Sequence, residues 1–140
     1  MAGYSGTPLA KKLGVKADQR VVLIDAPPSF LGALEPLPSD LSIASKAGRE
    51  PIDLVVIFCP DRAALVRHFK PLAGRLTPAG ALWVAWPKKA SGVSTDLTEN
   101  VVRDIGLGAG LVDNKVCAID ETWSGLRFVF RRKDRPGLRS

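Results

Sequence analysis

The sequence predicts an α/β fold built on a doubly wound, mostly parallel sheet that ends in an antiparallel hairpin. Three observations carry that expectation. Apolar runs at Arg20-Val-Val-Leu-Ile-Asp25, Asp53-Leu-Val-Val-Ile-Phe-Cys59 and Ala81-Leu-Trp-Val-Ala-Trp86 are continuous rather than alternating, as strands covered on both faces read. Stretches with helical spacing separate them, and an alternation of strand and helix implies parallel neighbours. Residues 112–119 and 126–131 form two further strands separated only by Asp120-Glu-Thr-Trp-Ser-Gly125. That is too little chain for a crossover helix, so they pair antiparallel at the end of the sheet.

Taken in order, Thr7 before Pro8 reads as an N-cap followed by proline at the first helical position, and Gly14 closes a short helix over residues 8–13. The first strand then ends in Asp25 and two prolines. Residues 27–50 are rich in Pro, Ser and Gly and offer one helical turn at 30–34 and one short strand at 40–44. After the strand at 53–59, Pro60-Asp61 opens a helix whose apolar face is Leu65, Phe69, Leu72 and Leu76. Thr77-Pro-Ala-Gly80 reads as a turn before the strand at 81–86. Asp96 with Glu99 reads as an Asp-x-x-Glu capping pair for a helix carrying Leu97, Val101 and Ile105.

At 140 residues the chain suits one domain, expected over residues 1–131. Cys59 and Cys117 lie in apolar runs with no second ligand at metal spacing, so they are expected as buried, reduced thiols of a cytoplasmic protein. No basic segment followed by an apolar core opens the chain, and no run approaches the ~20 apolar residues that span a bilayer, so no membrane role is expected. The net charge of +6 suggests nucleic acid until it is located: from Arg127 onward six basic residues and one acidic one contribute +5, leaving +1 for the body. Residues 132–140 read as a basic, flexible, solubilising tail. Nucleic-acid contact is expected only there, if anywhere.

The element order, with Leu76-Thr-Pro-Ala-Gly-Ala-Leu-Trp-Val-Ala-Trp86 leading into the hairpin, resembles the Rossmann-like fold of S-adenosylmethionine-dependent methyltransferases, in reduced form. In that superfamily a Leu-x-Pro-Gly-Gly turn commonly introduces the corresponding strand. The segments Gly3-Tyr-Ser-Gly-Thr-Pro-Leu-Ala-Lys-Lys-Leu-Gly14, Trp86-Pro-Lys-Lys-Ala-Ser-Gly-Val-Ser-Thr-Asp-Leu-Thr-Glu99 and Asp120-Glu-Thr-Trp-Ser-Gly-Leu126 also resemble a small bacterial family classed as a domain of unknown function. That second resemblance implies no activity. The first implies a cofactor held by an acid and a Gly-x-Gly-x-Gly turn after the first strand, where backbone must approach the ligand closely.

Here that turn reads Asp25-Ala-Pro-Pro-Ser-Phe-Leu31: the acid is present, but Pro27, Ser29 and Leu31 stand at the glycine positions and the prolines remove N–H donors. The short strand near residues 41–43 also lacks a terminal acid for a ribose hydroxyl. Gly106-Leu-Gly-Ala-Gly110 matches the glycine spacing but follows a helix and precedes a strand, the reverse of what a cofactor loop needs, and reads as a helix end. No cofactor is therefore expected, with S-adenosylmethionine as the alternative.

The remaining candidate ligand loop is Lys88-Lys-Ala-Ser-Gly-Val-Ser-Thr95. Lys88 and Lys89 bring charge, Ser91, Ser94 and Thr95 hydroxyls, and Gly92 an unusual backbone angle, beside the free N–H groups of the following helix. A phosphate or carboxylate fits this chemistry, but Asp96 and Glu99 would repel an anion, and a purely structural loop remains the other reading. Trp86 and Trp123 could wall a pocket with Asp25, or pack in the core. Asp120 and Glu121 are adjacent carboxylates expected to diverge, and His68, the one histidine, is expected to face solvent. No catalytic or metal-binding constellation emerges. The readings are a binding or regulatory module for an anionic small molecule or a protein partner, or a methyltransferase with an unconventional cofactor pocket.

Overall fold

A computed structural model describes residues 8–131. The expected Thr7 cap, residues 3–7 of the bacterial-family resemblance and the basic tail at 132–140 lie outside the described residues. Six strands, β1 Arg20–Ile24, β2 Ser42–Ala44, β3 Ile52–Phe58, β4 Leu76–Pro87, β5 Leu111–Ala118 and β6 Trp123–Phe130, form one sheet in the order β2-β1-β3-β4-β6-β5. The first four run parallel, and β6 pairs antiparallel with both β4 and β5. The helices are α1 Leu9–Leu13, α2 Phe30–Ala33, α3 Arg62–Ala73 and α4 Glu99–Gly108. No helix among the described residues is long and apolar enough to cross a membrane.

The sheet is apolar on both faces because alternate residues of β1, β3 and β4 feed two separate cores. Val55, Ile57, Leu82, Val84 and Phe128 pack under Leu65, Phe69 and Leu72 of α3 and Val102 of α4. Val56, Phe58 and Trp83 pack on the other face against Leu13 of α1 and Phe30 of α2. Each large side chain taken fully out of water contributes about 1.5–3 kcal/mol. Trp83, fully enclosed, keeps its indole satisfied by donating from Nε1 to the Leu13 carbonyl at 2.8 Å, which ties the short α1 to the middle of the sheet. Gly14 closes that helix at φ 85°, a conformation that favours glycine.

Four local expectations are corrected. Leu76 is not on α3; it opens β4, facing Ile52 in register. Residues 77–80 are not a turn before the strand but extra chain within it, since Ala81 is the residue that faces Leu54. The buried stripe of α4 is Val102 and Gly106, one position on from the expected Val101 and Ile105. The cause is close contact: a Cβ at Gly106 would stand 2.1 Å from the Phe128 ring, so the helix approaches the sheet where it has no side chain. Finally, Asp96 does not cap α4. Thr98 does, accepting the Val101 N–H at 3.2 Å, while Asp96 Oδ1 accepts the Arg62 N–H of α3 at 2.8 Å, alongside the α3 cap Asp61. The 106–110 glycines do end a helix as expected, with Gly110 at φ 97°.

Candidate functional site

Parallel strands deliver their carboxyl ends to one edge of the sheet, and the crevice outside that edge is where open α/β sheets take ligands. In this chain the edge is made by Asp25 after β1, Ser45 after β2, Cys59 after β3 and Lys88 after β4. A cleft of about 600 Å³ opens there between the end of β1, Pro27 and Pro28, Leu31 of α2, and Ile43 and Ser45. Among the described residues lining it, Asp25 alone is charged. It stands at φ 56°, a left-handed conformation that Asp adopts more readily than most side chains but at some cost, and its carboxylate is largely exposed.

Asp25 has an unexpected neighbour. His68 does not face solvent: from α3 its Nε2 points to Asp25 Oδ2 at 3.7 Å, and among the described residues that enclosed nitrogen has no hydrogen-bond partner. The signal was in the spacing, because His68 lies three residues after Leu65 and four before Leu72, on the inward stripe of the helix. Cys59 lies at the same edge, fully buried, and its thiol is pushed up to about 12, first by burial and then by the negative charges of Asp25 and Asp61. A thiol held in its protonated form is no nucleophile at neutral pH. Among the described residues no group of three or more His, Cys, Asp or Glu could hold a metal ion.

The lysine-rich loop continues the edge as a short 3₁₀ turn, Lys89–Ser91, closed by Gly92 at φ 77°. Two of its three hydroxyls are engaged with backbone groups. Ser91 donates to the Lys88 carbonyl at 2.7 Å and accepts the Val93 N–H; Thr95 donates to the Pro60 carbonyl at 2.7 Å and accepts the Leu97 N–H. The Lys88 N–H donates to the Thr122 carbonyl, and the Lys88 and Lys89 ammonium groups form no ion pair among the described residues. Ser94 is exposed.

The two tryptophans are not brought together. Trp86 pairs with Ser124 and Pro87 with Trp123, so the rings lie on opposite faces of the sheet: Trp86 under α3 and α4, Trp123 edge-on to Phe58 at 5.1 Å. Asp120 is engaged by its own turn, accepting the Thr122 and Trp123 N–H groups at 2.8 Å each, while Glu121 is exposed.

This sheet order, with four parallel strands closed by an antiparallel pair, recurs among solved structures. The chain resembles a ribosomal protein L11 methylase from Lactobacillus delbrueckii subsp. bulgaricus, with a TM-score of 0.62 at 12% identity over 88% of this chain and 75% of that one. The fold is methyltransferase-like. It also resembles the magnesium protoporphyrin IX methyltransferase from Synechocystis PCC 6803 with bound SAM, with a TM-score of 0.56 at 11% identity over 88% of this chain and 74% of that one. The same enzyme with bound SAH gives a TM-score of 0.58 at 10% identity, over 88% and 78%. No protein-family model and no curated protein sequence matches the chain, so the likeness to the bacterial family rests on its quoted segments alone.

Proposed function

We propose that the chain is a binding or regulatory module on a methyltransferase-like fold, taking a small molecule in the cleft beside Asp25. The supporting observation is the cleft itself: its volume is that of a ligand pocket, its walls are mainly apolar, and it carries one carboxylate to orient a hydroxyl or amine. The cofactor that neighbours of this fold hold does not fit the residues present in its usual manner. Pro27 and Pro28 have no N–H to offer, the Pro27 carbonyl is taken by the Phe30 N–H, and β2 ends in Ala44, followed by Ser45, rather than in an acid. The Lys88–Thr95 loop remains a second contact surface in this reading, for an anionic group or a protein partner.

A second reading, a methyltransferase with an unconventional cofactor pocket, is favoured by the position of Asp25 at the end of β1 and by neighbours that carry SAM or SAH. Calorimetric titration with S-adenosylmethionine and S-adenosylhomocysteine separates the two, after mass spectrometry has checked for a co-purified ligand. Micromolar binding that Asp25→Asn abolishes supports the enzyme reading. Absence of binding at millimolar cofactor rejects it and leaves the binding module, for which fragment screening by NMR must return hits at Leu23, Leu31 and Ile43; a screen silent there rejects the module as well.

A further inference from the structure

At the opposite end of the parallel strands lies a second cleft, of about 310 Å³, between the segment after α1, the starts of β3 and β4, and the β5–β6 hairpin. Its charged side chains are mostly of one sign. Lys11, Lys12, Lys16, Lys115 and Arg127 line it against a single carboxylate, Asp53. One carboxylate does not cancel five basic groups, and both Asp53 oxygens are engaged, Oδ2 accepting the Arg20 N–H at 2.8 Å and Oδ1 the Thr77 hydroxyl at 3.3 Å.

The hairpin brings like charges together. A register shift between Asp113 and Lys115 sets Lys115 directly opposite Arg127, whereas regular pairing would have placed Asn114 there. Like charges directly opposite on adjacent strands are destabilising. Arg127 is half-buried, faces Trp83 in the neighbouring strand, and forms no ion pair among the described residues; its one partner is the Asn114 amide oxygen at 3.3 Å. Burial pushes the Arg127 pKa down, the sign of a guanidinium that lost water without gaining a carboxylate. The Lys115 ammonium is held in place by donating to the Lys12 carbonyl at 2.8 Å. An anion seated between Lys115 and Arg127 would cancel the repulsion and offset the hydration Arg127 has lost, and the fork of Arg127 suits two oxygens of one phosphate.

We propose that this cleft, where the bulge at Asn114 sets Lys115 opposite Arg127 beside Lys11 and Lys16, binds a phosphate- or diphosphate-bearing small molecule. The site lies at the other end of the strands from Asp25 and stands whether or not that cleft binds anything. It is also built from residues distant in sequence, apart from the Lys88 and Lys89 loop.

The test is titration of the whole chain with sodium pyrophosphate, read by NMR at constant ionic strength with chloride as the reference. Saturable shifts are expected at Gly14, Lys16, Leu54 and Arg127, with apparent affinity at least tenfold weaker in Arg127→Gln and in Lys16→Gln, the latter lying outside every strand and helix. Lys70→Gln, on α3 over the other face of the sheet and outside the cleft lining, should leave that affinity unchanged. Chloride giving the same shifts, or both cleft variants binding like the unaltered chain, overturns the proposal. Single-stranded RNA competing at far lower concentration than pyrophosphate for the same residues also overturns it, in favour of a nucleic-acid site.

Discussion

The two faces of the sheet are covered very differently. One lies under α3 and α4, of 12 and 10 residues, whose buried side chains meet the strands closely enough that Gly106 touches the Phe128 ring. The other lies under α1 and α2, of five and four residues, and the connecting loops. The two clefts described above reach strand residues of that thinner side, Leu23 and Ile43 at the carboxyl edge, Leu54 and Ala81 at the amino edge; two others open along α3 and α4. On the thinner side too stand features that cost some stability, Asp25 at φ 56°, a conformation that Asp18 and Asp40 share, and an opposed Lys115–Arg127 pair. A well-packed face supplies stability, and the open one carries residues that cost some of it.

The largest effect that would sharpen this contrast comes from emptying the closed face. Phe69 is fully buried and meets Phe128 edge-on at 5.2 Å, so Phe69→Ala should cost about 3–5 kcal/mol in urea denaturation. Trp123, half-exposed against Phe58 on the thinner side, should cost about half that or less when changed to Ala. Equal losses would break the distinction between the faces.

The two thiols probe the same contrast through pH. Cys59, in the core under α3, has its pKa raised from 9.0 to about 12, so an unfolded chain releases the proton first. The stability associated with that buried thiol is fully present below pH 9 and is lost as pH climbs toward 12, at about 1.4 kcal/mol per pH unit. Stability of the unaltered chain should therefore fall faster than that of Cys59→Ala over this window. Parallel curves would show that the Cys59 thiol ionises in the folded state. Cys117, on the thinner side and also raised by burial, is half-exposed and should react with a thiol reagent before Cys59 does.

Next in size is the junction of α3 with the loop that follows β4. Asp96→Ala removes the acceptor of the Arg62 N–H and should cost about 1 kcal/mol, as a lost helix cap does, whereas an effect confined to α4 in hydrogen exchange would restore the capping pair expected from the sequence. That misassignment shows where sequence reading ran out. The strands were legible because continuous apolar runs leave one option, and the hairpin because six residues admit no crossover. Asp61 was legible because a cap acts on the next turn of its own helix. Asp96 was not, since its partner lies 34 residues away. The amino-edge cleft was hidden for the same reason: a net charge of +1 before Arg127 said nothing about Lys11, Lys16 and Lys115 meeting Arg127 in space. Asp25 is legible as the acid ending a strand, but His68, expected to face solvent, instead stands beside it on the apolar stripe of α3.

The smallest expected effect bears most directly on what the open face is for. Asp25 occupies φ 56° at the cleft wall, a conformation glycine adopts without a Cβ penalty. If Asp25 is kept for a ligand, Asp25→Gly relieves the strain, offset by the greater freedom of glycine in the unfolded chain. The balance should be a gain of less than about 1 kcal/mol in urea denaturation, with Asp25→Asn close to the unaltered chain because it keeps both the conformation and the shape. A loss of more than about 1 kcal/mol in both variants would mean that the carboxylate serves the fold through His68, at 3.7 Å, and not a ligand. A gain in stability accompanied by loss of whatever the cleft binds would instead make Asp25 a residue retained for binding against the preference of the fold.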